Sequence, residues 1–182
     1  MKILVIGDSC KDIFIYGDIV RIAPEAPVPV IKPILRKENP GMASNVVANL
    51  EALGAEVDLI TNEEEISKVR YVDKRYNQMV LRVDKNDKCE RYNGVYETVD
   101  YDALIISDYN KGFIQPDNIK KIIKKINLPI FVDSKKNNLE CFNGCYLKIN
   151  ELEHNKLTNI VNKDKLIVTL GKKGAMYKNT IY

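Results

Sequence analysis

Short apolar runs and amphipathic stretches alternate along most of the chain, and two extended segments interrupt the alternation. Residues 2–6 form an apolar run that stops at Gly7-Asp8, the pattern of a strand buried in a parallel sheet. Residues 43–53 repeat apolar positions at helical spacing, with Val46, Val47, Leu50 and Leu53 on one face, Gly41 opening the helix and Gly54 ending it. Strands are predicted over 57–61, 103–107, 129–133, 146–149 and 166–170. Helices are predicted over 116–126, where proline falls in the first turn, and over 151–157. A hairpin is predicted to start at 175–177, after Gly171-Lys172-Lys173-Gly174. Strands alternating with helices specify an α/β fold, a mostly parallel sheet covered by helices on both faces.

The interruptions fall at about 13–36 and 68–92. The first mixes β-branched and aromatic residues with prolines at 24, 27, 29 and 33, which exclude a helix and suit edge strands. The second reads as two strands, 69–72 and 79–83, around the turn Lys74-Arg75-Tyr76-Asn77. Together they are predicted to form a small accessory sheet standing off a single domain that takes in residues 1–182.

Composition removes several classes of function. The 182 residues, 45% hydrophobic and 29% charged, are enough for one core. With 28 basic against 25 acidic residues, the net charge of +3 gives no ground for a nucleic-acid site. The tyrosines are scattered rather than set beside basic residues on a strand face. The basic stretch 120–125 alternates apolar and charged pairs as a solvated helix face does. No apolar run approaches the roughly 20 residues that cross a bilayer, and the opening run lacks the length and cleavage site of a signal peptide. A cytoplasmic protein without membrane contact is expected. Cys10, Cys89, Cys141 and Cys145 read as free thiols, because Cys141 and Cys145 have no second pair and His154 is the only histidine.

Four short segments carry candidate chemistry. Asp8 and Asp12 follow the first strand, and ligands of open α/β sheets lie off the carboxyl ends of the strands, so both carboxylates are placed to accept from sugar hydroxyls. The bland alternative is a pair of turn hydrogen bonds. In Asn39-Pro40-Gly41-Met42-Ala43-Ser44-Asn45, small residues at a helix start let a ligand approach free N–H groups, and Asn45 offers both a donor and an acceptor. Lys111, in Ser107-Asp108-Tyr109-Asn110-Lys111-Gly112, and Lys135, after Asp133-Ser134, sit at strand ends from which either can reach phosphate. Asn150 and Glu153 are three apart at a helix start, where an acid suits a Mg²⁺ held through water, or equally an ordinary acidic first turn.

The order of these segments resembles the ribokinase-like, PfkB-type carbohydrate kinases. It is most similar to the kinase domain that phosphorylates D-glycero-D-manno-heptose 7-phosphate in ADP-heptose synthesis for lipopolysaccharide. Gly7-Asp8, Asp12 and Tyr16-Gly17 carry the resemblance, together with the specific string Arg21-Ile22-Ala23-Pro24-Glu25-Ala26-Pro27-Val28-Pro29-Val30. The Pro-Gly-x-Ala-x-Asn segment, the Ser-Asp-Tyr-x-Lys-Gly loop, the Asp-x-Lys turn, the Asn-x-x-Glu box and Thr169-Leu170-Gly171 follow in family order. The resemblance implies a sugar-phosphate substrate phosphorylated by ATP with Mg²⁺ at the anomeric hydroxyl. It implies that Asp8, Asp12, Gly41 and Asn45 hold the sugar and that Lys111 and Lys135 face phosphate. Asn150 and Glu153 would organise Mg²⁺ and the nucleotide phosphates, with Glu153 holding the metal through water, and Thr169 and Gly171 would border the nucleotide. Arg21 and Glu25 would lie in a β-sheet lid over the substrate, through which a homodimer forms.

Three departures from that pattern stand out. Met42 takes the place of a second glycine, and a side chain there restricts φ and fills space. Only residues 62–67 follow Ile60-Thr61, where the family inserts a further βα unit, so part of a sheet face should be exposed or the sheet narrowed. No Gly-x-Gly-Asp occurs in the chain, so the family's phosphate-transfer motif and its catalytic base are expected beyond Tyr182 and the fold is expected to be truncated. Three readings stay open: an incomplete sugar-phosphate kinase, a non-catalytic sugar-binding protein, and a degenerate remnant.

Overall fold

The computed structural model describes residues 1–94, 100–159 and 162–182. Its centre is the apolar strand β1 (Lys2–Gly7), flanked in parallel by β4 (Glu56–Ile60) and β7 (Ala103–Asp108). Parallel pairing continues through β8 (Ile130–Ser134), β9 (Tyr146–Asn150) and β10 (Leu166–Thr169). The hairpin β11 (Ala175–Tyr177) and β12 (Thr180–Ile181) adds antiparallel strands at one edge, giving the order β12-β11-β10-β9-β8-β7-β1-β4. All the parallel strands end at the same side, which places the loops after Gly7, Asp108, Ser134, Asn150 and Thr169 along one rim.

Each face of this sheet buries its own cluster. On one face Ile3, Val5 and Ala43 pack with Val46, Val47 and Leu50 of helix α1 (Ala43–Ala52). Leu53 does not share that face: it lies past the last helical residue and is 84% exposed, while Gly54 takes φ +84° and closes the helix. On the other face Leu4, Ile6, Leu104 and Ile106 meet Phe113, Ile114, Leu139, Phe142 and the helix α2 (Pro116–Lys125), whose Ile119 and Ile122 point inward. Pro116 opens α2 because its missing N–H would have no intrahelical partner there. The third helix is one turn, α3 (Glu151–His154), shorter than the 151–157 expected.

Beside the edge strand β4, Ile60, Cys89, Tyr92 and Tyr101 pack, partly buried, against the larger cluster. Main-chain bonds from Cys89 N–H to Lys111 C=O (2.9 Å) and from Tyr92 N–H to Phe113 C=O (3.1 Å) hold that segment down.

The second sheet is built from β2 (Ser9–Ile22), β3 (Pro29–Met42), β5 (Ser67–Asp73) and β6 (Gln78–Lys85), in the order β3-β2-β5-β6. Its strands start earlier and end later than the 13–36 segment predicted, and residues 86–92 leave this sheet to lie on the main one. The proline-bearing β3 is an edge strand, where a missing N–H costs no ladder bond. Pro33 falls at a register shift opposite Gly17, and a Cβ on Gly17 would lie 2.4 Å from Lys32 O.

Candidate functional site

The two sheets meet where β1 runs into β2. Asp8 lies between them with a fully buried side chain. Its Oδ2 accepts from Tyr109 N–H at 2.6 Å and its Oδ1 from Phe113 N–H at 3.3 Å, with the Cys89 thiol at 3.6 Å. Burial, and after it the charge of Asp108, pushes the Asp8 carboxyl above its ordinary value. Burial, then Asp8, likewise pushes the Cys89 thiol up to about 12. Asp8 thus ties the first strand to the loop after β7, and its acceptor capacity is directed at backbone donors.

Asp12 stands four residues on, half-buried, and forms an ion pair with Arg70 of β5 at 2.6 Å. Gly41 lies next to it across the β2–β3 ladder: a Cβ there would meet Cys10 Sγ at 2.6 Å and Asp12 Oδ2 at 2.7 Å. Glycine at 41 therefore makes room for the carboxylate. Met42 follows with φ +57° and ψ −128°, a conformation that a side chain disfavours strongly. Its side chain is 5% exposed and packs with Cys10 and Ile66, against Cys89 and Tyr109. Asn45 is exposed on the first turn of α1, whose first N–H, that of Ala43, donates to Asp8 C=O at 2.9 Å.

A second group gathers at the ends of β8, β9 and β10. Asn150 and Glu153 form a capping box: Glu153 N–H donates to Asn150 Oδ1 at 2.9 Å and Asn150 N–H donates to Glu153 Oε2 at 2.8 Å. The other Glu153 oxygen accepts from the Lys135 ammonium, which also lies 3.5 Å from Asp133. Both oxygens of Glu153 are thus engaged, and a divalent ion held there through water would have to displace Lys135. Among the described residues no group of three or more His, Cys, Asp or Glu side chains is arranged to hold a metal. Thr169 pairs with Asn150 across the ladder and donates its hydroxyl to Ile149 C=O at 3.3 Å, while Gly171 adopts φ +60° just beyond.

Three sequence-derived side chains point away from both groups. The Lys111 backbone lies against Asp8, but its ammonium pairs with Asp87 and anchors the covering segment. Arg21 and Glu25 are exposed near the far tip of the β2–β3 hairpin, nine and thirteen residues beyond Asp12, and at about 3.3 Å per strand residue Arg21 stands about 30 Å from it. Sequence reasoning also missed Asp108 and Lys136. The fully buried Asp108 carboxylate accepts from Lys136 Nζ at 2.6 and 2.8 Å and from Ser134 Oγ at 2.7 Å. The only sequence signal was a buried-strand terminus ending in aspartate.

Tyr109 links the two groups. Its ring centroid lies 5.5 Å from Lys68 Nζ of the small sheet and 5.4 Å from Lys135 Nζ of the main one. Burial, then the charge of Asp133, raises its phenol above the ordinary value and keeps it a donor.

No protein-family model matches the chain. It is 31% identical over 199 residues to the bifunctional protein HldE of Nitratiruptor sp., covering 90% of this chain and 43% of that protein. To the bifunctional protein HldE of Campylobacter jejuni it is 33% identical over 177 residues, covering 80% and 38%. The chain spans about two fifths of the length of these relatives. A carbohydrate kinase from Agrobacterium tumefaciens superposes with a TM-score of 0.62 at 16% identity, over 92% of this chain and 69% of that one. Arabidopsis thaliana ribokinase, solved with ribose and ATP, superposes at 0.55 and 15% identity, over 95% and 73%. The chain has the ribokinase-like fold of the carbohydrate kinases and is homologous, over most of its own length, to the bifunctional HldE proteins.

Proposed function

We propose that the chain forms the sugar- and nucleotide-binding part of an ATP-dependent carbohydrate kinase whose acceptor is D-glycero-D-manno-heptose 7-phosphate. The observation that carries this reading is the common rim. Asp8, Asp12, Gly41 and Asn45 gather at its β1 end, and Asn150, Glu153, Thr169 and Gly171 at its β9–β10 end, with Tyr109 and Lys135 between. An acceptor at the first group and a nucleotide at the second would meet over the ends of β7 and β8. Asp12, the half-exposed carboxylate, is the one suited to take a sugar hydroxyl, in exchange for Arg70. Mg²⁺ would supply charge neutralisation on the phosphates, with Glu153 freed from Lys135 to hold its water. The heptose reading places the protein in ADP-heptose synthesis for lipopolysaccharide, in the cytoplasm. Among the described residues no helix is long and apolar enough to cross a membrane.

The small sheet acts as the lid in this reading, and its exposed Val20, Ile22, Val28 and Leu81 suit pairing with a second copy. One observation favours a second reading, sugar binding without transfer: the buried Met42 side chain fills space beside Cys10 and Tyr109 at the acceptor end.

The test is ATP-dependent phosphorylation of the heptose 7-phosphate by the purified chain, with sugar binding by calorimetry and mass by sedimentation on the same sample. Turnover, with heptose 7-phosphate binding weakened about tenfold or more by Asp12→Asn, supports the proposal. Binding without turnover selects the second reading. Absence of both overturns the two together, and sedimentation at the monomer mass excludes the dimer.

A further inference from the structure

Two adjacent lysines leave the end of β8 in different directions, and only one of them stays at the rim. Lys136 Nζ donates to both oxygens of Asp108, at 2.6 and 2.8 Å, while the Lys135 ammonium meets Glu153 and lies 3.5 Å from Asp133. Asp108 is fully buried, and its other side-chain partners, Ser134 Oγ at 2.7 Å and Asn110 N–H at 3.0 Å, bring no charge. Among the described residues Lys136 is therefore the one cation paired with this carboxylate.

A buried carboxylate that loses its cation costs far more than a rim pair that opens. Water can replace the missing charge at the rim and cannot reach it in the interior. Lys135 is placed to answer such a loss: its own N–H donates to Asp108 C=O at 2.8 Å, so its side chain starts beside the same strand end. Asp8, the neighbouring buried carboxyl, only adds to the demand for positive charge. Without Lys136, the next ammonium along the chain gains more at Asp108 than at Glu153. We infer that Lys136 is a positioning residue: by occupying Asp108 it holds Lys135 out at the rim, against the capped turn of α3. That Lys135 faces phosphate there rests on the proposed function; its placement by Lys136 does not.

Zero-length carbodiimide coupling joins a lysine to a carboxylate only where the two are in contact, so it reads this placement without ligand or turnover. The yield of the Lys135–Glu153 cross-link, assigned by peptide mass spectrometry, is compared in the wild type, Lys136→Met, Lys136→Arg and Asp108→Asn/Lys136→Met. Thermal midpoints confirm that each chain is folded. Lys136→Met is expected to fold and to lower the yield about tenfold, the scale of one charge-assisted hydrogen bond. Lys136→Arg keeps the cation, and the double variant removes the buried charge with its partner, so both should stay within about twofold of wild type. An unchanged yield in Lys136→Met overturns the inference, as does a wild type without the cross-link. A Lys136→Met chain that does not fold overturns it too, because Lys135 then fails to take the vacant place. Loss of the cross-link in Lys136→Arg or in the double variant does the same, since the competition for Asp108 would not then be what places Lys135. Under the proposed function, Lys136→Met should raise KM for ATP about tenfold, as Lys135→Met does, and combining the two should add nothing. The expected cross-links without kinase activity, or with an unchanged KM, uphold the positioning and count against the proposed site. Kinase activity with wild-type cross-linking in Lys136→Met does the reverse.

Discussion

The two sheets of this protein are held by different forces, and the difference assigns them different work. In the eight-stranded sheet Leu4, Ile6, Leu104 and Ile106 are sealed beneath Phe113, Ile119, Leu139 and Phe142. Fully burying one such side chain contributes about 1.5–3 kcal/mol. The four-stranded sheet buries Ile13, Val69 and Val72, but none of them joins a larger cluster, and Ile34, Leu35, Met79, Val80 and Leu81 stay exposed. Its cohesion comes from ladder hydrogen bonds and from pairs such as Asp12–Arg70 and Arg82–Asp84. A sheet that owes little to the common core can move against it at small cost, as the proposed lid would have to.

The largest test of this contrast is a pair of truncations. Phe142→Ala, at a fully buried side chain, is expected to cost about 3–5 kcal/mol in chemical denaturation. Leu81→Ala, at a residue 55% exposed, should stay within about 0.5 kcal/mol. Equal losses would show that the small sheet shares the stability of the main one, and the comparison would collapse.

A smaller effect sharpens the junction between the sheets. Met42 combines a buried side chain with a backbone conformation suited to glycine, so burial and strain oppose each other at one residue. Met42→Ala removes the burial and keeps the strain, and about 2–5 kcal/mol should be lost. Met42→Gly removes both, and is expected to be more stable than the alanine variant by about 1–2 kcal/mol. That order is the reverse of the usual preference for alanine over glycine. Denaturant midpoints of the two variants decide it: alanine above glycine means that position 42 carries no strain.

Much of the fold was legible because its signals are local. Pro116 at the start of α2, Gly54 after α1 and the apolar runs of β1 and β7 each act within a turn or a strand, and the alternation of strand and helix then dictates a parallel sheet. Met42 was legible as a misfit for the same reason. Leu53 was misjudged because its periodicity continues one residue past the end of the helix. The contacts that shape the site were not legible. Asp12 meets Arg70 across 58 residues and Asp8 meets Tyr109 N–H across 101, distances that only strand order and register can close. Lys136 was passed over for Lys135, its neighbour in sequence. The chain turns there, so one ammonium goes to the buried Asp108 and the other to Glu153. The Asn150–Glu153 spacing left a metal site and an acidic first turn open, and the structure uses it as a capping box.

The subtlest expected effect is electrostatic and again sits where the sheets meet. Asp8 is buried beside Asp108, and its folded-state carboxyl is raised above the ordinary 3.8. A carboxyl so raised binds its proton more tightly folded than unfolded. Its contribution to stability is therefore full below 3.8 and is lost as pH rises through the raised value. Exposed carboxylates such as Asp58, Glu65, Asp84 and Asp117 are shifted the opposite way by their partners and mask this trend in the wild type alone. They are common to the wild type and Asp8→Asn, so the difference between the two chains cancels them. That difference should move against the wild type as pH rises from below 3.8, by at most about 1.4 kcal/mol per pH unit, and level off once Asp8 is ionised in both states. A difference that stays flat across this window would mean that the backbone donors of Tyr109 and Phe113 fully compensate the burial. Asp8 would then be a settled anion, and the junction between the sheets would carry no electrostatic cost that ligand binding could relieve.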